Sequence, residues 1–146
     1  MENRRRQEKK LQRKLKTKIT DIHLKACNFL TTQYDLVSLG KLNVSAIIKN
    51  KRENLGLPKL SKRYILAWRH YDFRQRLLHR FRGEPDKRLI IQDEHYTSKT
   101  CSACGKSKSD LGAAEWFLCD FCGRRMNRDV NAAKNILKTT LNTIFG

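Results

Sequence analysis

Apolar side chains recur along this chain in two rhythms. From Leu11 they fall at Leu15, Ile19, Ile22, Ala26 and Phe29, steps of three and four that describe one side of a helix ending near Thr31. Tyr34-Asp35-Leu36-Val37-Ser38-Leu39 is short and mostly apolar and closes at Gly40, the pattern of a strand buried on both faces. Between Leu42 and Leu60 the sequence is polar and basic, broken by Gly56 and Pro58, which predicts a loop with at most one turn of helix. Ser61 is placed to cap a helix whose stripe is Leu66, His70, Phe73, Leu77 and Phe81, and Gly83-Glu84-Pro85-Asp86 ends it. Lys87 to Gln92 predicts a second strand that delivers Asp93, Glu94 and His95 to its carboxyl end, where sites form in open α/β sheets. Val130, Ala133, Ile136 and Leu137 predict a short amphipathic helix at the end of the chain. This order implies the α/β class, with a parallel sheet and an inserted ribbon. Two strands are too few for such a sheet, so part of it is missing or supplied by another chain.

Charge changes that picture from fold to partner. The 146 residues carry 32 Lys and Arg against 14 Asp and Glu, a net charge of +18. An excess of this size points to a polyanion, because each phosphate contact releases counterions and adds salt-dependent affinity. Nucleic acid leads and a membrane surface comes second; no apolar run approaches the ~20 residues of a spanning helix. The first 18 residues hold Arg4, Arg5, Arg6, Lys9, Lys10, Arg13, Lys14, Lys16 and Lys18, a face suited to nucleic acid or simply to solvent. Arg69, Arg76 and Arg80 form a second basic side, opposite the stripe of the middle helix. No Ser/His/Asp or Cys/His arrangement and no phosphate-cradling glycine spacing is present.

Two Cys-x-x-Cys pairs, Cys101/Cys104 and Cys119/Cys122, each place two thiolates on one tight turn. Facing each other, such turns make the tetrahedral sulfur cage that Zn²⁺ prefers, and with four protein ligands the ion is structural. Gly105 and Gly123 follow their pairs, where positive φ is commonly required. Disulfides would fit a secreted domain, but the chain opens with charge rather than an apolar signal, and a redox motif needs one pair. The expected compartment is therefore intracellular and reducing. Cys27, in a helical pattern, is expected to be a small core residue. Tyr96, Trp116, Phe117 and Phe121 are interleaved with Lys99, Lys106, Lys108, Arg124 and Arg125. Such aromatics either stack on bases or build the small core a ribbon needs.

Thr97-Ser98-Lys99-Thr100-Cys101-Ser102-x-Cys104-Gly105, then Cys119-x-x-Cys122-Gly123, then Arg128-Asp129-x-Asn131-Ala132-Ala133-x-Asn135-Ile136-Leu137 resembles the carboxy-terminal signature of transposon-encoded TnpB proteins. It is similar also to their Fanzor relatives and, more distantly, to type V CRISPR effectors. Asp110-Leu111-Gly112 and the stretch from Trp68 to Leu77 lean toward the Fanzor branch. The resemblance covers roughly residues 8 to 140. It implies a RuvC-like, RNase H-type α/β fold with flanking helices and an inserted four-cysteine zinc ribbon, and an RNA-guided DNA nuclease in which three carboxylates hold two Mg²⁺ ions. Two metals about 4 Å apart activate a water and stabilise the leaving oxygen.

Carried over residue by residue, Asp129 matches the last acidic position, and Glu94 matches a relocated glutamate before the Thr-Ser-x-Thr-Cys motif. The bland readings are a helix cap for Asp129 and an exposed strand-end charge for Glu94. Gly40 stands where the common glutamate would be, and no residue matches the first aspartate. The resemblance thus implies a basic helix over 1–33, a partial RuvC-like region over 34–95, a target nucleic-acid-binding ribbon over 96–126 and a terminal RuvC-like helix over 127–146. The expectation is a nucleic-acid binder, of DNA or guide RNA, without independent cleavage, and nuclear in a eukaryotic host. The alternative is an Mg²⁺-dependent endonuclease subunit completed by a second chain.

Overall fold

A computed structural model of the chain describes residues 2–49, 58–93, 99–108 and 114–146. In chain order these form α1 (Glu2–Gln33), β1 (Leu36–Gly40), α2 (Val44–Lys49), α3 (Lys59–Ala67), α4 (His70–Arg82), β2 (Arg88–Gln92), β3 (Trp116–Leu118), β4 (Arg125–Asn127) and α5 (Arg128–Phe145). Two compact units result, one of residues 1–36 and 43–89, the other of 37–42 and 90–146.

In the first unit α1 packs on α4. The buried positions of α1 are Ile19, His23, Cys27 and Thr31, a strict i, i+4 row. Of the row expected from periodicity, Ile19 is buried and Ala26 half-buried, but Leu11, Leu15, Ile22 and Phe29 are exposed. The row that faces α4 admits a histidine and a threonine because each has a partner. His23 stands against the Phe73 ring with centroids 5.3 Å apart, and its Nε2 bonds the Trp68 carbonyl at 3.1 Å. A carbonyl only accepts, so Nε2 carries the proton. Thr31 returns its hydroxyl to the Cys27 carbonyl at 2.8 Å. Cys27 is fully buried, as its sequence context predicts, and burial pushes its thiol up, against the opposing charges of Arg80 and Arg76.

The region expected as a loop holds α2 and the start of α3, and the helix expected from Ser61 is two helices. Arg69, at φ 50° and ψ 49°, breaks the run between α3 and α4. That left-handed turn costs a non-glycine residue, and the Arg69–Asp72 ion pair across the first turn of α4 offsets part of the cost. α3 starts after Pro58, not at Ser61, as suits a residue that has no backbone N–H to leave unpaired at a helix start. Leu77 and Phe81 of the expected stripe are buried, whereas Leu66 is exposed.

β1 and β2 pair. The Arg88 N–H donates to the Asp35 carbonyl and the Lys41 N–H to the Gln92 carbonyl, both at 2.7 Å. Residue numbers rise together along the two strands, from 35 with 88 to 41 with 92, so the strands are parallel, as predicted. β1 is half-buried throughout rather than enclosed on both faces. The fold is of the α/β class with flanking helices, and the second unit adds the ribbon hairpin β3–β4 and α5.

Candidate metal centre

The hairpin pairs Trp116 with Asn127, Phe117 with Met126 and Leu118 with Arg125. On its inner side Phe117 is buried with Cys101 and Cys119, and Met126 packs against them. This core is too small to hold a fold together by apolar burial alone.

The two cysteine turns are built alike. The Cys101 N–H donates to the Lys106 carbonyl and the Gly105 N–H to the Cys101 carbonyl, both at 2.9 Å. At the second turn the Cys119 N–H donates to the Arg124 carbonyl at 3.0 Å and the Gly123 N–H to the Cys119 carbonyl at 2.9 Å. Gly105 and Gly123 turn the chain at φ 75° and 67°. The result is four sulfurs within 4.8 Å of one another, with Cys101 and Cys119 buried and Cys104 and Cys122 exposed. Across the turns, Cys101 Sγ lies 3.8 Å from Cys122 Sγ and Cys104 Sγ lies 3.6 Å from Cys119 Sγ. A disulfide needs about 2.05 Å, so these are four free thiols, gathered as the corners of one small cage.

The cluster is electrostatically uneven. The Cys122 backbone N–H, then that of Phe121, point at Cys119 and, against its burial, draw its thiol down to about 6. Cys122 receives the Arg124 N–H, but Cys119, burial and the other two sulfurs outweigh it and push the thiol up to about 11. Four thiolates cannot share so small a space without a cation, and this donor set can hold a metal ion.

α5 closes the centre from outside. Asn127, the last residue of β4, caps it by accepting from the Asp129 N–H at 2.9 Å and the Val130 N–H at 3.3 Å. The expected apolar face is turned outward, with Val130 and Leu137 exposed. Asn131, Asn135 and Thr140 are buried instead. Asn131 Oδ1 accepts from the Ser102 N–H at 2.8 Å, and the side-chain amides of Asn131 and Asn135 both donate to the Thr100 carbonyl at 2.7 Å. Lys138 Nζ donates to the Ser102 carbonyl, and the Thr140 hydroxyl meets that of Ser38. Both asparagines stand in the carboxy-terminal signature, which by itself assigns them no role. Their spacing with Lys138, at i, i+4 and i+7, is the signal that the sequence offers.

The other candidate residues scatter. Asp129 is exposed in the first turn of α5, and Glu94 lies outside the described residues. Among the described residues only the four cysteines form a cluster with metal-ligand spacing. Arg13 and Lys14 are exposed on α1, Arg80 is exposed on α4, and Arg69 and Arg76 are half-buried. Nε of Arg76 is enclosed with no hydrogen-bond partner among the described residues. Lys99, Lys106, Arg124 and Arg125 are exposed on the ribbon, where Arg125 lies over the Trp116 ring at 4.8 Å from its centroid. Of the ribbon aromatics that are described, Phe117 is core and Trp116 and Phe121 are exposed.

Residues 70–136 match the family described as Cas12f1-like, TNB domain, which spans α4, β2, the ribbon and the start of α5. That stretch is thus similar to a Cas12f1-like TNB domain, set in a chain of the α/β class. TnpB-like protein L79 of Acanthamoeba polyphaga mimivirus is 39% identical over 133 residues, 91% of this chain and 25% of the relative. The CRISPR-associated endodeoxyribonuclease Cas12f1 of Sulfoacidibacillus thermotolerans is 34% identical over 88 residues, 59% of this chain and 20% of the relative. In fold, the chain superposes with a TM-score of 0.62 and 20% identity on a protein in a cryo-EM structure of a Cas12f1-sgRNA-target DNA complex, covering 88% of this chain and 35% of that one. These matches support a relation to the TnpB/Cas12 type, and the chain spans about a quarter of the curated TnpB-like relatives it matches. No helix among the described residues is long and apolar enough to cross a membrane.

Proposed function

We propose that this chain is a nucleic-acid-binding protein of the TnpB/Cas12 type, organised on a zinc ribbon and without cleavage activity of its own. The observation that carries this reading is the exposed cationic surface. Every residue from Glu2 to Lys18 is exposed, and Arg6, Lys9, Lys10, Arg13 and Lys14 share one ridge of α1. In the first unit Arg69 at the break before α4, with Arg76 and Arg80 on α4, and in the second unit Lys99, Lys106, Arg124 and Arg125 on the ribbon are further contacts to nucleic acid, with exposed Trp116 and Phe121 as stacking platforms. The bound strand is target DNA, guide RNA or both. The divisions 1–33, 34–95, 96–126 and 127–146 then correspond to basic helix, RuvC-like region, ribbon and terminal helix.

Zinc fits the donor set. A tetrahedral ion with Zn–S near 2.3 Å spaces its sulfurs about 3.8 Å apart, which the cross-turn distances of 3.8 and 3.6 Å match. With four thiolate ligands no position remains for water, so the ion is structural. It holds the ribbon in shape, and thiolate ligation suits a reducing intracellular compartment, the nucleus where the host is eukaryotic. Gly40 in the place of a family glutamate leaves Glu94 and Asp129 as two carboxylates where three are used. Mg²⁺, which demands near-octahedral oxygen coordination, is held weakly by such a pair.

Retention of the purified chain on nucleic acid should fall steeply as salt rises, with log affinity linear in log salt concentration. Retention that ignores salt, or is absent at low salt, would sink the reading. A second reading is favoured by the exposed placement of Asp129 and by a relative named an endodeoxyribonuclease. In it the chain is an Mg²⁺-dependent endonuclease subunit whose missing acid comes from another chain. Mg²⁺-dependent cleavage that disappears in Asp129→Ala supports this second reading and refutes the first.

A further inference from the structure

Building on the metal reading above, we infer that α5 is a wall of the metal centre: Asn131, Asn135 and Lys138 clamp the first cysteine turn, so that metal binding and docking of α5 are one folding step. Three consecutive peptide groups surround Cys101, and α5 grips all three. The Thr100 carbonyl takes the Asn131 and Asn135 amides at 2.7 Å each, the Ser102 N–H gives to Asn131 Oδ1 at 2.8 Å, and the Ser102 carbonyl takes Lys138 Nζ. The second turn is held differently, by Lys108, whose Nζ lies 3.4 Å from the Leu118 carbonyl and 2.9 Å from Asp120.

This clamp, rather than an apolar face, fastens the first half of α5. Asn131 is fully enclosed and Asn135 nearly so, while Val130 and Leu137 look outward. Enclosed amides are costly to leave without partners, so the helix keeps its place only while the 100–102 backbone keeps its path. That path is drawn tight when four sulfurs close on one ion, and it slackens when mutual repulsion of the thiolates is no longer neutralised. By linkage, the clamp must also raise metal affinity, because its bonds form together with the closed site and stabilise the metal-bound state. Asp129, just ahead of Asn131 in the first turn of α5, is set in place by the same contacts. Asn131, Asn135 and Lys138 are thus positioning residues.

Hydrogen exchange on the full chain, with zinc bound and after chelation, tests this. Amides of residues 130–138 should lose protection on chelation, while those of α4 keep theirs. In parallel, Co²⁺ is titrated as a spectroscopic probe into wild type, Asn131→Ala/Asn135→Ala, and Lys134→Ala, an exposed α5 control. Affinity should drop about tenfold or more in the double variant, the usual scale for groups that orient metal ligands, and stay unchanged in the control. Metal binding with α5 protection indifferent to chelation, or a double variant that binds Co²⁺ like wild type, overturns the clamp alone. A chain that takes up no Co²⁺ overturns the metal reading beneath it.

Discussion

Gly105 and Gly123 hold φ values of 75° and 67°, and a Cβ added at either would meet no atom within 4 Å. The cost of a side chain there is pure backbone strain, so Gly105→Ala and Gly123→Ala should each destabilise the ribbon by about 1 kcal/mol, measured by denaturant unfolding with metal bound. Phe117 is the one large enclosed side chain among the described ribbon residues, and Phe117→Ala should cost about 3–5 kcal/mol in the same assay. His23 supplies a pH signature in the first unit. Burial lowers its pKa below 6.5, opposed in part by the Trp68 hydrogen bond and aided by the Arg76 charge. The unfolded chain then binds the proton more readily than the folded one. Stability is full above pH 6.5 and falls as pH drops from 6.5 toward the lower folded value. Thermal melts should show that slope, and His23→Gln should flatten it. The cysteines, their glycines and Cys27 were legible because their spacing is local. Asn131 and Asn135 were not, because a polar residue declares its partner only when the fold brings up a carbonyl from 31 or 35 positions away.

Among elements, α5 is the clearest reversal of what periodicity implies. Of its apolar row, Val130, Ala133 and Leu137 are exposed and Ile136 half-buried, while its amide row is enclosed, since the surface it meets is a loop backbone with bonds to satisfy. Asn127 starts this helix directly from β4, and Asn127→Ala should cost about 1 kcal/mol, read as reduced helicity near the ribbon and a lower melting temperature. The break at Arg69 was hidden for another reason. Left-handed geometry at an arginine carries no sequence mark, so the stripe from Leu66 to Phe81 reads as one helix although two are built. The parallel pair was legible because two short, mostly apolar runs each follow a helix, and the ribbon because its cysteine spacing marks it.

At the scale of the whole chain, the two units hold themselves together by different means. The first has Ile19, Leu77 and Phe81 in its core, and the second encloses Phe117 with two cysteines of the cluster that can hold a metal ion. Calorimetry should therefore resolve two transitions, of which chelation removes one and leaves the other in place. The charge excess was legible from composition alone, and its placement follows from α1, whose first half touches no core. Replacing Arg6, Lys10 and Arg13 with Ala should lower the salt slope of nucleic-acid binding by about 0.9 for each phosphate that the variant leaves unneutralised. The bare first half of α1, residues 2–18, makes a rod about 25 Å long. Every cation on it is also a trypsin site, so limited digestion strips the rod from the free chain and spares it under a bound strand. The protease thereby maps how far along the rod its ligand lies.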